Sequence, residues 1–361
     1  MNNYADVIII GCGVLGSSIA YHLSKHGKSI IVLERGEIMD GTSNATAGRI
    51  TMQDNTPRFF GEIAWKSYNN YKTLSEELDA DLEYKVTGGM KLIYDKEGLK
   101  KAEYAVAAQQ ELGYDIELIS RDRTIELEPL IYRDNFGAIY SKYDGQVSPF
   151  CLVHAYVKAA IRNGARIMRF TNVTGFNLKG NTITEVVTDR GNFAAGLIIC
   201  AAGIYSRSLG EMLNISIPVH PERGCCLVSE KLPPILHLQL NCITQRITGN
   251  IIFGDTYEAT DRIDRTTKLE SIVSVARGIA KIVPSLTAVQ IIRSYTGIRC
   301  LPDDGFPILG PCGIIGNFWL ALCHNAFRLN AEIGPMMARM VLGESGIEEY
   351  PQLSYSRFAN K

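Results

Sequence analysis

Three glycines near the start of the chain have the spacing of a pyrophosphate-binding turn. Gly11, Gly13 and Gly16 form the pattern GxGxxG, which follows the apolar segment 6–10 and precedes a helical segment at 17–26. The first glycine would make a tight turn, the second would let a pyrophosphate approach the backbone, and the third would let the helix pack closely on the strand. The unpaired N–H groups at the start of that helix favour an anion. The pattern therefore predicts a dinucleotide site.

An acidic residue stands where a dinucleotide-binding unit needs one. Glu34, followed by Arg35, closes a second apolar strand at 29–33. A carboxylate at this place holds a ribose hydroxyl, and it would repel the 2′-phosphate of NADP. The pattern does not distinguish FAD from NAD. The small residues from Gly41 to Gly48 would let a flat ring lie against the backbone, although a loop of this composition can also be a simple connection.

The elements that must position these groups alternate between strands and helices, which predicts an α/β fold. The chain has 361 residues, which is long enough for two domains. We expect a discontinuous dinucleotide-binding domain of the Rossmann-like βαβ type and an inserted β-rich substrate-binding domain. The first would comprise residues 1–80, 140–216 and 295–361, and the second residues 81–139 and 217–294.

The composition argues against several classes of protein. The chain has 37 basic and 38 acidic residues, so its net charge is close to zero and it lacks the positive charge typical of a nucleic-acid binder. Apolar runs stay short of the ~18–20 residues that cross a bilayer, so we expect no integral membrane segment. Nine cysteines without a CxxC pattern favour reduced thiols and a cytoplasmic protein over disulfides, and they predict no metal site.

Four segments together resemble one enzyme family. They are the GxGxxG turn, GTSNATAG at 41–48, LIICAAGIYS at 197–206 and RSYTGIRCLPDDGFPILGP at 293–311. Their combination resembles the D-amino acid oxidase-like (DAO) family of FAD enzymes, which includes glycine oxidase, sarcosine oxidases and several amine dehydrogenases. The resemblance covers nearly the whole chain and implies an FAD-binding Rossmann-like domain with the β-rich substrate domain inserted.

Three further segments resemble one branch of that family. They are FGDTYEATDRID at 253–264, IIRSYTGIR at 291–299 and CHNAFRLNAEIG at 323–334. They are most similar to the catalytic subunits of opine oxidases, hydrogen cyanide synthase, D-hydroxyproline dehydrogenase and the multi-subunit proline dehydrogenases. This resemblance implies partner subunits that accept electrons, with FMN or an iron–sulfur cluster on those partners.

The family resemblance also implies a role in cofactor binding for each matching position. FAD would be bound noncovalently, with its pyrophosphate at the three glycines and its adenosine ribose at Glu34 and Arg35. The positions implied along the phosphates, the adenine and the flavin are Thr42, Ser43, Ala47, Gly48, Val173, Ala202, Gly203, Gly297, Asp304 and Gly305.

Three residues are candidates for the substrate site. Arg299 matches the arginine that binds the substrate carboxylate in amino acid oxidases, and its planar fork suits two-point binding. His324 would contact flavin or substrate and Tyr257 would offer a hydroxyl, with simple packing as the alternative for both. Cys300 is adjacent to Arg299, as in enzymes with covalent flavin, but its surroundings differ and favour noncovalent FAD.

The sequence leaves three functions open. The first is a dehydrogenase subunit that oxidises a carboxylate-bearing amine (an amino acid, imino acid or opine) by hydride transfer from the α-carbon to flavin N5. The second is a stand-alone glycine, sarcosine or D-amino acid oxidase that uses oxygen, and the third is a flavin electron-relay subunit without a substrate. The terminal loop departs from the family pattern at four positions. Arg328, Asn330, Ala331 and Glu332 stand there in place of the small or apolar residues of the family.

Overall fold

The computed structural model describes residues 3–254 and 256–358. Residues 1–2, 255 and 359–361 fall within the expected domain ranges, and Asp255 within the FGDTYEATDRID segment, but they lie outside the described residues. The strands are β1 Tyr4–Ile10, β2 Ile30–Leu33, β3 Arg49–Ile50, β4 Lys85–Val86, β5 Gly89–Leu92, β6 Glu117–Ile119, β7 Ala138–Ser141, β8 Gly145–Gln146, β9 Arg166–Met168, β10 Val173–Lys179, β11 Thr182–Thr188, β12 Gly191–Cys200, β13 Val219–Lys231, β14 Gln239–Leu240, β15 Ile243–Gln245, β16 Asn250–Phe253, β17 Glu258–Ala259, β18 Ile291–Pro302, β19 Ile308–Pro311 and β20 Phe318–Leu322. The α-helices are α1 Val14–Lys25, α2 Arg58–Leu78, α3 Lys96–Glu111, α4 Arg121–Leu127, α5 Pro149–Arg162, α6 Ser206–Glu211, α7 Leu269–Ile282 and α8 Ala326–Leu342.

The first sheet carries the GxGxxG turn at the end of its central strand. β1 pairs in parallel with β2 on one side and β12 on the other, and β12 pairs in parallel with β20. β10 and β11 extend this sheet with antiparallel pairing. Ile10 is opposite both Leu33 and Cys200, so β1, β2 and β12 end at the same edge. Ligands of open parallel sheets bind outside this edge.

Both faces of the first sheet are buried. Val7 and Ile9 of β1 face an apolar cluster formed with α1, α5 and α8, while Ile8 and Ile10 face a second cluster. Successive side chains of a strand point to opposite faces, so a strand buried on both faces has a continuous apolar sequence. The order β1, α1, β2 confirms the predicted βαβ unit, and the helix begins at Val14, three residues earlier than its predicted start at 17.

The second sheet is assembled from the middle and later parts of the chain. Its strand order is β17-β13-β16-β15-β14-β5-β7-β6, and β18 also pairs with β13. β13 and β18 form a long antiparallel ladder from Val219 opposite Pro302 to Ser229 opposite Ile291. This β13–β18 ladder carries the segment that contains Arg299, so it determines where that side chain lies.

Two of the expected domain boundaries fall inside strands of the second sheet. The boundary between residues 139 and 140 lies in β7, and the boundary between 294 and 295 lies in β18. A small third sheet pairs both β3 and β4 with β8, so it joins ranges that we expected to belong to different domains. We propose that the two domains divide between the two large sheets, with β7 and β18 kept whole.

The last helix begins earlier than predicted. The sequence analysis placed Arg328, Asn330, Ala331 and Glu332 in a terminal loop, but all four residues lie in α8 and are buried. Arg328 donates to the carbonyl oxygen of Asp54 and to Oδ1 of Asn55, and Asn330 donates to the hydroxyl of Tyr71. These tertiary hydrogen bonds give the buried side chains of Arg328 and Asn330 polar partners inside the folded protein.

Candidate functional site

A cavity of about 880 Å³ runs from the edge where β1, β2 and β12 end to the β13–β18 ladder. This volume is typical of sites for cofactors and small ligands. The expected site residues that line it are Gly11, Gly13, Glu34, Arg35, Thr42, Ser43, Ala47, Val173, Ala202, Gly203, Tyr257, Gly297, Arg299 and His324. One continuous cavity therefore joins the pyrophosphate-binding pattern to the candidate carboxylate-binding arginine.

Two of the three fingerprint glycines, Gly11 and Gly16, are needed for close contacts of the backbone. Gly11 has a φ of 103°, and a Cβ there would lie 2.6 Å from the carbonyl oxygen of Ala201. A Cβ at Gly16 would lie 2.0 Å from the carbonyl oxygen of Gly11, so only glycine lets α1 pack this closely on the turn. Gly13 is the N-cap of α1 and supplies no side-chain cap. The helix N terminus is thus directed at the cavity in a way that fits a pyrophosphate.

Glu34 directly follows β2 and lines the cavity. Its carboxylate accepts hydrogen bonds from two backbone N–H groups. Its Oε2 accepts a hydrogen bond of 2.8 Å from the N–H of Cys12, and its Oε1 accepts one of 3.0 Å from the N–H of Gly36. These bonds fix a buried carboxylate beside the glycine turn, where it fits a ribose hydroxyl. The guanidinium of the neighbouring Arg35 stacks on the ring of Tyr205 at 3.5 Å from its centroid.

The small-residue loop at 41–48 lies between the cavity and the β13–β18 ladder. The hydroxyl of Thr42 donates to the carbonyl oxygen of Ile298, and Oγ of Ser43 accepts a bond of 3.1 Å from the N–H of Val14. Thr42, Ser43 and Ala47 line the cavity, whereas Gly48 does not. A Cβ at Gly48 would lie 2.2 Å from the carbonyl oxygen of Val147, so close packing requires this glycine.

Arg299 extends from β18 into the far end of the cavity. Its Nη1 donates to Oε1 of Glu222 at 2.8 Å and to the carbonyl oxygen of Thr256 at 2.9 Å. The guanidinium carbon lies 4.6 Å from the centroid of the Tyr257 ring. A Cβ at Gly224 would lie 2.6 Å from Nη2 of Arg299, so this glycine makes room for the guanidinium. The arginine is therefore held in one orientation by its neighbours.

The other two candidate residues also line the cavity. His324 follows β20, is partly buried and lines the cavity just before α8 begins. Tyr257 also lines the cavity, with 69% of its surface exposed. Arg299, His324 and Tyr257 thus line one cavity from three separate segments of the chain.

Asp304 and Gly305 are not among the residues that line the cavity, and their expected place around the flavin stays a prediction. They lie in the turn after β18, which leads away from the site. The carboxylate of Asp304 accepts hydrogen bonds from Nε of Arg357 at 2.6 Å and from Nη2 at 2.9 Å. This ion pair with Arg357 holds the pKa of Asp304 below its usual value despite partial burial. The structure therefore gives Asp304 a role in anchoring the last segment of the chain.

Several cavity residues were missed by the sequence analysis. Arg49, Lys91 and Asn241 line the cavity from β3, β5 and the turn after β14. Arg49 follows the small-residue loop directly, so its position in the sequence was the one signal that could have identified it. Lys91 and Asn241 reach the site through strand pairing between distant segments, which one sequence without its fold does not reveal.

Cys300 and Cys323 line the cavity, and Cys12 lies beside it in the glycine turn; all three thiols are buried. Burial raises the pKa of Cys12 to about 12 and that of Cys323 to about 12, and it also raises the pKa of Cys300. These cysteines therefore remain protonated thiols at neutral pH. Within residues 3–254 and 256–358, no group of three or more His, Cys, Asp or Glu side chains is arranged to hold a metal ion. No α-helix in the same part of the chain is long and apolar enough to cross a membrane.

Residues 6–341 match the family of FAD dependent oxidoreductases known as DAO. The chain belongs to this family. The glycine turn, the carboxylate of Glu34 and the cavity beside them fit the cofactor that the family uses, and the chain is an FAD-dependent oxidoreductase. This result confirms the FAD-binding α/β fold and the family resemblance that the sequence motifs suggested.

Individual members of the family are similar to this FAD-dependent oxidoreductase over nearly its full length. Hydrogen cyanide synthase subunit HcnC of Pseudomonas aeruginosa is 28% identical over 400 residues, which cover 96% of this chain and 94% of that protein. One of the subunits of opine oxidase from Rhizobium meliloti is 26% identical, with 98% of this chain and 97% of that protein covered. The crystal structure of glycine oxidase from Geobacillus kaustophilus matches with a TM-score of 0.93 at 25% identity, over 98% of this chain and 99% of that chain.

Proposed function

We propose that this FAD-dependent oxidoreductase oxidises a small amine that carries a carboxylate, such as an amino acid, an imino acid or an opine. The main support is the single cavity that joins the pyrophosphate-binding glycines to Arg299. When bound, FAD supplies at flavin N5 the acceptor for the hydride that leaves the α-carbon. The nitrogen lone pair of the substrate forms the C=N bond as the hydride departs, and the iminium product then releases a proton.

Arg299 would bind the substrate carboxylate. A guanidinium offers two parallel N–H donors to a carboxylate, which fixes both the position and the orientation of the α-carbon beside it. The bonds from Nη1 of Arg299 to Glu222 and to the carbonyl oxygen of Thr256 set the plane of this fork before substrate arrives. Such preorganisation reduces the entropy that substrate binding must overcome.

Cationic side chains around the site favour the reactive, neutral form of the substrate amine. Arg49, Lys91 and Arg299 line the cavity, and a nearby positive charge disfavours protonation of an amine. Loss of a hydride from the α-carbon requires the nitrogen lone pair, which an ammonium lacks. We propose that His324 and Tyr257, which line the same cavity, contact the bound substrate.

We further propose that the electrons pass to a partner subunit that carries FMN or an iron–sulfur cluster. Two relatives of similar length, HcnC and the opine oxidase relative, are named as subunits, and this supports a complex. The glycine oxidase relative supports a second candidate, a stand-alone oxidase that delivers the electrons to oxygen. A third candidate is an electron-relay subunit that holds FAD without a substrate of its own.

The first experiment tests whether the bound flavin accepts electrons from a carboxylate-bearing amine. The yellow protein is mixed without oxygen with D-amino acids, opines, prolines and N-methylglycine, and the flavin absorbance is followed. Bleaching by members of this panel is the expected result. Failure of every carboxylate-bearing amine to bleach a protein that retains FAD would contradict the proposal and favour the relay subunit.

The second experiment tests the electron acceptor. The substrate-reduced protein is mixed with an artificial dye or with oxygen, and the two rates of flavin reoxidation are compared. A subunit of a dehydrogenase complex would react far faster with the dye than with oxygen. Equal rates would support the stand-alone oxidase.

A further inference from the structure

A segment of the second sheet, residues 256–268, runs beside β13 on the side opposite to β18. We call this segment the strap. Its short strand β17 pairs with β13, with Glu258 opposite Arg223. The hydroxyl of Thr256 accepts a hydrogen bond of 2.9 Å from the N–H of Cys225 in β13. β13 therefore lies between the strap and β18, the strand that carries the candidate carboxylate-binding arginine.

The guanidinium of Arg299 reaches across β13 to the strap. It passes over Gly224, where a Cβ would lie 2.6 Å from its Nη2. Its Nη1 donates to the carbonyl oxygen of Thr256 at 2.9 Å, and the guanidinium carbon lies 4.6 Å from the centroid of the Tyr257 ring. Glu222, another of its partners, belongs to β13. Two of the groups that orient the arginine therefore belong to the strap.

The strap is attached to β13 on the opposite face of the sheet. Successive side chains of a strand point to opposite faces, and residues paired across two strands share a face. Arg299 passes over Gly224, so the side chain of Arg223 points to the other face of β13. Glu258 is opposite Arg223 and shares that face. Its neighbour Tyr257 lies against the arginine, so adjacent strap residues connect the attachment point to the ring.

Arg223 is a buried arginine with two acidic partners on the strap. Its Nη1 lies 2.7 Å from Oε1 of Glu258, and its Nη2 lies 2.8 Å from Oδ2 of Asp264. Its Nε donates to the carbonyl oxygen of Asp264 at 3.4 Å. The arginine side chain is 5% exposed, so water cannot readily replace these partners when one of them is removed. One guanidinium therefore holds the strap at two separate residues.

The strap also touches the small-residue loop of the cofactor site. Arg265 donates from Nη2 to the carbonyl oxygen of Asp40, and its Nη1 lies 3.3 Å from Oδ1 of the same residue. Asp40 directly precedes Gly41, where that loop begins. Both side chains of this ion pair are exposed to water, and exposed pairs contribute little to stability. The buried contacts of Arg223 are therefore the stronger attachment of the strap.

We infer that Arg223 is a positioning residue for the arginine that binds the substrate carboxylate. It holds the strap by two ion pairs, and the strap places the Thr256 carbonyl and the Tyr257 ring against the guanidinium of Arg299. Arg223 does not line the cavity, so it acts on the substrate only through these groups. This inference rests on the proposed function, because it requires that Arg299 binds the carboxylate.

Two probes that differ in charge report on the orientation of Arg299. Pentanoate and pentanamide are titrated into the protein with its FAD bound, and the shift of the flavin absorbance gives the affinity of each without turnover. Wild type should bind pentanoate at least about 30-fold more tightly than pentanamide, as expected for a buried charge pair. The ratio of the two affinities is the quantity compared among variants, because a general loosening of the cavity would weaken both probes.

Variants of Arg223 test whether the strap orients the guanidinium. Arg223→Gln should retain FAD and lower the ratio of pentanoate affinity to pentanamide affinity by at least about 5-fold, a typical coupling between residues of one network. Arg223→Lys should restore part of the ratio, because an ammonium lacks the planar fork that reaches both acidic partners. In Arg299→Ala, the further change Arg223→Gln should leave the remaining ratio unchanged, because no guanidinium is left to orient.

Arg246→Gln is the matched control for the loss of a buried arginine. The side chain of Arg246 is 8% exposed, lies 3.2 Å from Oε2 of Glu83 and donates to the carbonyl oxygen of Val147. It does not line the cavity. This variant should lower the free energy of unfolding, as measured with urea, and leave the ratio of the two affinities unchanged.

The outcomes separate this inference from the function on which it depends. A folded Arg223→Gln with the wild-type ratio would overturn the inference and leave the proposed function standing. An equal fall of the ratio in the Arg299→Ala background would also overturn it, because the effect would then not pass through Arg299. Equal binding of both probes by wild type would overturn the role of Arg299 and the inference together.

Two further variants keep the test decisive if Arg223→Gln does not fold. Glu258→Gln and Asp264→Asn each remove one carboxylate charge and keep the arginine with its other partner. Each should lower the ratio of pentanoate affinity to pentanamide affinity, by less than the substitution of Arg223 itself. An unchanged ratio in both variants would overturn the inference.

Discussion

Arg299 and Glu222 lie directly opposite each other on the antiparallel strands β18 and β13, and Nη1 of the arginine is 2.8 Å from Oε1 of the glutamate. Both side chains are mostly buried, at 14% and 18% exposure. A mostly buried ion pair of this kind keeps the guanidinium out of bulk water and fixes its orientation. Removal of either member would leave the other charge without its partner in a region of low solvent access.

The first prediction concerns Arg299. Arg299→Ala should retain FAD but weaken the binding of a carboxylate-bearing substrate by about 2–5 kcal/mol, the usual cost of truncating a buried charge pair. Arg299→Lys should restore only part of this affinity, because an ammonium lacks the planar two-point geometry of a guanidinium. The measurement is the anaerobic rate of flavin reduction as a function of substrate concentration.

Two comparisons control for structural damage in the Arg299 variants. A substrate analogue with an amidated carboxylate should bind wild type and Arg299→Ala with similar affinity, because it lacks the charge that the arginine binds. Glu222→Gln should keep the guanidinium and an oxygen that accepts its hydrogen bond, and remove only the carboxylate charge, so its substrate affinity should fall less than in Arg299→Ala. Normal saturation by a carboxylate substrate in Arg299→Ala would show that this arginine is structural.

The second prediction concerns the ribose-binding carboxylate. Glu34→Lys should weaken FAD retention by about 10-fold or more, because the substitution replaces a buried acceptor of two backbone hydrogen bonds by a cation. The apparent dissociation constant is measured from the return of flavin fluorescence on dilution. Glu37→Lys makes the same change of charge at an exposed position nearby and should leave FAD affinity unchanged. Equal affinities in the two variants would contradict the proposed role of Glu34.

The third prediction concerns the link between protein and flavin. Precipitation by acid should release all the FAD into solution, because the Cys300 thiol at the cavity is buried, has a raised pKa and lacks the thiolate needed to form a covalent bond. Absorbance of the supernatant and of the redissolved pellet provides the measurement. Flavin that stays with the pellet in wild type but leaves it in Cys300→Ser would instead establish a covalent link.

The fourth prediction concerns the pH dependence of stability at His22. This residue of α1 is 8% exposed and packs against Tyr21 and Tyr156, and burial lowers its pKa to about 4. The unfolded chain binds the proton near pH 6.5, so the stability contributed by the neutral imidazole is complete above that pH and is lost as the pH falls to about 4. Relative to His22→Gln, wild type should lose up to about 3 kcal/mol of unfolding free energy between pH 7 and pH 4.

Urea denaturation of both proteins at several pH values tests this prediction. The informative quantity is the difference in unfolding free energy between wild type and His22→Gln. The absolute values also change with the titration of Asp144, whose effect on stability has the opposite pH dependence in the same range. Its raised pKa, about 7, means that Asp144 contributes stability at low pH that is lost as the pH rises. Both proteins keep Asp144, so its contribution cancels in the difference. A difference that stays constant from pH 7 to pH 4 would show that His22 is not buried in its neutral form.

The parts of the site that could be predicted from the sequence are those defined by local geometry. Gly11, Gly16 and Glu34 belong to one βαβ unit of about 30 residues, where the spacing along the chain determines the distance in space. The family resemblance implied a place at the flavin for Asp304, which follows Arg299 by five residues. The strand ends between these two residues, and the turn carries Asp304 to Arg357 instead.

The parts that could not be predicted depend on contacts between distant segments. Lys91 reaches the cavity because β5 pairs with β14, and the start of α8 was missed because its polar side chains find partners such as Asn55 and Tyr71 only in the folded protein. Periodicity and composition describe a segment by itself, whereas these features are set by pairing that spans more than a hundred residues.

The parallel pairing of β1 with β12 has a consequence for how the protein is made. Ile10 leaves the ribosome long before Cys200, its neighbour in the sheet. At about 5–20 residues per second, roughly 10–40 s separate their synthesis. His324 completes the cavity later still. The FAD-binding site of the growing chain is therefore incomplete during most of translation. We expect FAD to bind only when nearly the whole polypeptide has emerged.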